Sequence, residues 1–216
     1  MPARPSLILA STSRYRRALL ERLALPFQAV TPDVDETRLP NEPPEDMVVR
    51  LAAAKAAEVA NRFPGALVIG SDQCAALGAD VLGKPGTHAK ARAQLGRLSG
   101  QRVTFHTGLC VIDGASGREW RDVVPFTVHM RDLEPDEIER YLRADQPYDC
   151  AGSFKSEGLG ISLFRAMAGD DPTALVGLPL IRLCARLREA GLTIPAGETP
   201  AMAFNTPFDA RDMNSV

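Results

Sequence analysis

The chain has 216 residues, 45% hydrophobic and 24% charged, with a formal net charge of −2. That length suits one medium domain with a real core, and the balance is that of an ordinary soluble globular protein. The lack of a basic excess argues against a general binder of nucleic-acid polymers. Four cysteines, Cys74, Cys110, Cys150 and Cys184, are scattered without a Cys-x-x-Cys pair, which argues against a cysteine-built zinc site and suits a reducing cytosol.

The first residues, Met1 to Leu9, hold only a short apolar piece, so neither a signal peptide nor a membrane span is expected there, and the chain reads as cytoplasmic with no membrane partner. Leu7 to Ala10 predicts a short buried strand. Ser11-Thr12-Ser13 follows, with Ser13 a good N-cap, and then a helix whose apolar face is Leu19, Leu20 and Leu23. Its first turn carries Arg14, Arg16 and Arg17. Cations there oppose the helix dipole unless an anion compensates, so hydroxyls and arginines together suggest a phosphate site; the alternative is three solvated surface arginines.

Phe27 to Val30 is a second strand, followed by the acidic loop Pro32 to Glu36. Such a run is either simply solvated or able to hold a divalent cation through carboxylate oxygens. A proline-rich stretch leads to a helix from about Glu45 to Arg62, with Val48, Leu51, Ala52 and Val59 on one face. Lys55 falls on that same face, where it either snorkels outward or points into a polar cleft. Leu67, Val68 and Ile69 form the apolar run of a strand buried on both faces. Gly70 is read as the break in that run, leaving Ser71, Asp72 and Gln73 at the strand's carboxyl end, where open α/β sheets present functional groups. The plainer reading of Ser-Asp is a turn.

Cys74 is read as a small packed hydrophobe. A Gly78-Ala79-Asp80 turn makes a hairpin that brings Lys84 back towards Asp72. Thr87 caps a helix to about Leu98. Gln101 to Asp113 and Arg118 to Arg131 form two long strands joined by a turn, with Pro125 implying an edge or a bulge. Glu134 to Arg143 is an amphipathic helix. Ala151 to Gly160 crowds three glycines around Lys155, Glu157 and two serines, which favours recognition over packing. Asp170-Asp171-Pro172 is a turn, and Val176 to Pro179 opens a last helix, Leu180 to Ala190, ended by Gly191. Pro195 to Val216 reads as a flexible tail.

Cationic side chains, hydroxyls and two acidic sites are equipment for metal-assisted hydrolysis of a nucleotide phosphoanhydride. Neither a Walker A sequence nor a Gly-x-Ser-x-Gly elbow is present, which argues against those two enzyme classes.

The ordered motifs Leu7 to Arg16, Val34 to Glu36, the Ala-x-x-Lys-Ala segment around Lys55, Ile69 to Gln73, Gly83 to Pro85, Ala151 to Gly158 and Val176 to Pro179 resemble the Maf family of nucleotide pyrophosphatases. The resemblance covers roughly residues 5 to 192. It implies an α/β fold with an elongated mixed β-sheet and flanking helices, in two lobes around a central cleft, over residues 1–194. It also implies hydrolysis of a nucleoside triphosphate to monophosphate and diphosphate with a divalent metal cation, magnesium or manganese, in a homodimer. Asp72 would accept the proton of the attacking water and share the metal with Glu36. Lys55 and Lys84 would complete the catalytic set, and Ser11, Arg16 and Lys155 would bind phosphate. Gln73 stands where members acting on dTTP and UTP have threonine. With Tyr15 and Glu157 it resembles the branch whose substrate is 7-methyl-GTP, so these three residues would choose the base. A tyrosine face can stack on the cationic methylated guanine, and Glu157 can accept from its N1–H and amino group. The rivals are a dTTP/UTP pyrophosphatase and a non-catalytic nucleotide-binding regulator of cell division.

Overall fold

A computed structural model describes residues 5–196, so all but the first two residues of the expected tail lie outside the described residues. Within them, β1 (Leu7–Ala10), α1 (Arg14–Glu21), β2 (Phe27–Val30), α2 (Pro44–Arg62), β3 (Leu67–Leu77), β4 (Asp80–Leu82) and α3 (His88–Leu98) make the first part of the chain. The strands β5 (Arg102–Asp113) and β6 (Glu119–Met130), then α4 (Pro135–Asp145), β7 (Phe164–Ala168) and α5 (Leu180–Glu189), complete it. The sheet order is β2-β1-β3-β5-β6-β7, with β4 also on β3. β1 is parallel to β2 and β3, whereas β5 is antiparallel to β3, β6 to β5 and β7 to β6. The fold is the mixed α/β sheet with flanking helices that the resemblance implies.

β1 is buried at all its residues, as a strand covered on both faces must be. Ser13 caps α1, its Oγ accepting from the Arg16 N–H at 3.4 Å. The expected break at Gly70 is not there. β3 continues through Ser71, Asp72 and Gln73 to Leu77. The glycine serves close approach instead, since a Cβ at Gly70 would lie 2.1 Å from the Ala52 carbonyl oxygen, and one at Gly108 would lie 2.1 Å from that of Val48. Helix α2 therefore rests on the bare backbone of β3 and β5.

β3 has different neighbours on its two edges. β5 pairs with it from Leu67 to Ala76. On the other edge β1 covers Leu67 to Gly70 and β4 covers Ala75 to Leu77. Ser71 to Cys74 are left without a strand neighbour on that edge. Asp72 is thus mid-strand yet just past the end of its parallel neighbour, the position at which open α/β sheets present functional groups.

Pro125 falls outside the stretch of β6 that β7 covers, Thr127 to Met130, so it sits on a locally free edge, and the irregularity in the ladder lies at His129/Met130. β7 itself is not legible in the sequence, because beyond Phe164 it is an exposed edge strand without the alternation that marks a half-buried one. The core gathers at the two ends of the sheet. One cluster includes Leu95, Leu98, Phe126, Met130 and Leu142; two others pack on opposite faces around β1, through Leu9, Ile69 and Leu183 on one side and Ile8, Ala56 and Val68 on the other. Among the described residues no helix is long and apolar enough to cross a membrane.

Candidate active site

A cleft of about 610 Å³ opens at the uncovered stretch of β3. Ser11, Tyr15, Arg16, Glu36, Lys55, Asp72, Gln73, Lys84, Lys155 and Glu157 all line it. These ten residues are therefore brought to one cavity, from segments as far apart as the β1–α1 turn and the 151–160 loop, whereas Arg17, the third arginine of the first turn of α1, does not line it.

Strand alternation divides the site into two walls. Asp72 shares its face with Gly70 and Gly108, the face on which α2 lies. Lys55 reaches from α2 into the cleft rather than snorkelling out. Its Nζ donates to Asp72 Oδ1 at 2.6 Å and lies 2.6 Å from Glu36 Oε1. Lys55 and Asp72 are 5% and 8% exposed, while the Glu36 side chain is 61% exposed. One buried ammonium thus holds two carboxylates together at the cleft floor. Among the described residues no hydrogen bond engages Asp72 Oδ2, and that oxygen keeps its lone pairs.

Ser71 and Gln73 belong to the other face. The Ser71 hydroxyl lies 2.8 Å from the Gly108 carbonyl oxygen and 2.9 Å from that of Gly177. Arg16 Nε donates to the same Gly177 oxygen at 2.9 Å. Gly177 has φ +113°, a conformation that side chains disfavour. This carbonyl joins β3, α1 and the Val-Gly-Leu-Pro segment, which the sequence marks as a helix start and a motif of the resemblance but not as part of the site. Ser11, 6% exposed, accepts from the Ser13 N–H at 3.1 Å. Desolvation draws the Arg16 pKa down, opposed by the fields of Asp72 and Glu36; arginine remains a cation regardless.

Lys84 is exposed at the rim and has no ion pair among the described residues. Lys155 is less free, its Nζ donating to the Asp145 carbonyl at 2.7 Å and lying 3.8 Å from that residue's carboxylate. The Arg14 guanidinium lies 4.8 Å from the Tyr15 ring centroid and donates to its hydroxyl at 2.8 Å, so Tyr15 already stacks on one cation. Glu157 is exposed and accepts from the Ser156 hydroxyl at 3.1 Å. Cys74 is packed as expected, 4% exposed, and burial pushes its thiol up to about 12. A thiol so protonated is no nucleophile near neutrality. Cys150 lines the cleft, but burial likewise pushes it to about 12.

Some of the site was missed in the sequence. Thr107 stands directly opposite Gln73 in the β3–β5 ladder and is fully buried; nothing short of that register marks a threonine in a long strand. Asp145, the partner of Lys155, ends α4 and was hidden among surface charges.

A sheet edge that gathers carboxylates, cations and hydroxyls around one cavity defines an α/β protein equipped for a phosphoanhydride. The chain belongs to the Maf family: residues 6–190 match the Maf-like protein family. It is 59% identical over 198 residues to a protein of Alkalilimnicola ehrlichii named 7-methyl-GTP pyrophosphatase, covering 92% of this chain and all of the relative. It is 56% identical over 191 residues to one of the same name from Pseudomonas syringae pv. tomato, covering 88% of this chain and all of the relative. A third of that name, from a Polaromonas species, is 56% identical over 201 residues, with 92% of each chain covered.

Proposed function

We propose that the protein is a nucleotide pyrophosphatase that hydrolyses 7-methyl-GTP to 7-methyl-GMP and diphosphate, clearing a modified nucleotide in the cytoplasm. The observation that carries this reading is the Lys55 ammonium held between Asp72 Oδ1 and Glu36 Oε1 at 2.6 Å each, at the floor of a cleft that Ser11, Arg16, Lys84 and Lys155 also line. The printed names of the relatives supply the substrate.

Lys55 holds the Asp72 carboxylate turned through Oδ1, and the unengaged Oδ2 takes the proton of a water attacking the phosphoanhydride. A base so placed contributes about 10²–10⁴-fold. Arg16, Lys84, Ser11 and the opening of α1 hold the triphosphate, since helix N-termini and cations both favour phosphate oxygens. Lys155 adds charge to the wall while tied to Asp145. Tyr15 stacks on the base, and Gln73 and Glu157 meet its edge.

Asp72 and Glu36 are the residues that would hold a divalent cation, magnesium or manganese. Among the described residues no group of three or more His, Cys, Asp or Glu side chains converges as a metal cage. Two carboxylates completed by substrate phosphates are nevertheless an ordinary magnesium arrangement. When bound, the cation neutralises phosphate charge and lowers the pKa of water. A homodimer is proposed from the family resemblance, and light scattering on the purified protein tests it.

The function is tested by diphosphate release with magnesium or manganese from 7-methyl-GTP, GTP, UTP, dTTP and CTP. The highest kcat/KM is expected for 7-methyl-GTP. Preference for UTP or dTTP would keep the enzyme and discard the substrate. No release from any would return the weight to a nucleotide-binding regulator.

A further inference from the structure

The Gln73 amide nitrogen lies 3.0 Å from Thr107 Oγ1, 2.6 Å from the Ala174 carbonyl oxygen and 3.1 Å from that of Leu175. Two of these three are backbone oxygens that can only accept, so the nitrogen, not the oxygen, of the amide must face them. The Thr107 hydroxyl donates its one hydrogen to the Ala174 carbonyl at 2.8 Å, which leaves it an acceptor towards Gln73. Thr107 and Gln73 are directly paired across the β3–β5 ladder, and Thr107 is fully buried. All the amide's donors are thus spent inside the protein. Among the described residues Gln73 Oε1 makes no hydrogen bond, and Gln73 and the nearby Gly177 both line the cleft.

We infer that Thr107 is a positioning residue which, with the Ala174 and Leu175 carbonyls, locks the Gln73 side chain so that it offers the base an acceptor only. The ligand feature it takes is an N–H on the base edge, and a base presenting a carbonyl there is turned away. A purine edge with an amide N–H and an exocyclic amino group meets this demand. The lock is a property of the free protein, and its use in base choice rests on the function proposed above. Gln73 contacts the base, whereas Thr107 acts through Gln73.

Two measurements test it. In free protein labelled with ¹⁵N-glutamine, the Gln73 NH₂ protons should be well separated and slow to exchange. Thr107→Ser should preserve this, and Thr107→Val, which leaves only the Ala174 and Leu175 carbonyls as acceptors, should narrow the separation and speed the exchange. Indistinguishable Gln73 signals in the parent and Thr107→Val would overturn the inference, whatever the enzyme acts on. The second measurement compares kcat/KM for 7-methyl-GTP with its analogues lacking the N1–H (1-methylated) or the 2-amino group (the inosine form). At least one deletion should cost the parent and Thr107→Ser about tenfold or more, the scale of a lost charge-assisted hydrogen bond, and the penalty should shrink below about threefold in Thr107→Val. A penalty undiminished in a folded Thr107→Val protein would overturn the inference. A locked amide in a parent that leaves 7-methyl-GTP intact would instead sink the substrate assignment and leave the lock standing.

Discussion

At the residue scale the site turns on one ammonium. Lys55 and Asp72 are both buried, and such a pair is weak evidence for stability taken whole but strongly destabilising when halved. Lys55→Met should therefore cost about 3 kcal/mol in urea unfolding, since Asp72 loses its counter-ion. The double variant Lys55→Met/Asp72→Asn should recover much of that loss, and no recovery would mean that packing, not charge, sets the cost. Asp72→Asn alone should lower kcat for diphosphate release by about 10²–10⁴-fold while leaving the circular dichroism spectrum unchanged. Parental turnover in that variant would remove Asp72 as the base. The residues of this cluster were legible because polar side chains interrupt apolar runs: Lys55 on a helix's apolar stripe, Asp72 after Leu-Val-Ile. Thr107 and the Gly177 carbonyl were not, because a hydroxyl in a strand and a backbone oxygen carry no sequence signature until the register is known.

At the element scale the structure alters two readings. Gly70 looked like the end of a strand and is the place where α2 touches the sheet; a glycine signals a turn and a close approach equally well. Asp171 looked like a turn residue and is a buried cap, 3% exposed. Its Oδ1 accepts from the Thr173 hydroxyl at 2.6 Å and its N–H at 3.1 Å, and its Oδ2 accepts from the N–H groups of Ile181 at 2.7 Å and Arg182 at 3.3 Å. Pro179, at the N-cap position of α5, makes no side-chain cap, so Asp171 supplies it from a distance and also meets the positive end of the helix dipole. Asp171→Ala should cost about 2–4 kcal/mol, read as a lowered thermal midpoint. Because the same segment carries the Gly177 carbonyl, KM should rise with it. A midpoint within about 1 °C of the parent would show that water caps α5 as well.

For the whole molecule, acid sensitivity has an identifiable source away from the cleft. Arg50 donates to Glu42 at 2.5 and 2.8 Å, and with the Leu39 N–H it holds the Glu42 carboxyl down at about 2. A depressed folded-state pKa means that the contribution is complete above the unfolded value, about 4.3, and is lost as pH falls from there through about 2. Calorimetry of Glu42→Gln between pH 5 and 2 should show a shallower fall of the midpoint than in the parent; parallel curves would place the acid-labile group elsewhere. The α/β class and nearly all of the elements were readable because their apolar periods are long and clean. The strand order was not, since it depends on which edges meet, and β7 has no period to read.

The uncovered edge of β3 has a consequence for how binding can be watched. Between β1 and β4, the backbone amides of Ser71 to Cys74 that face the gap have no ladder partner there, whereas those turned to β5 do. Deuterium should enter the gap-facing amides early in the empty protein and slowly once a ligand fills the cleft. A single strand would then carry its own reference: one edge reports global opening, and the other reports occupancy.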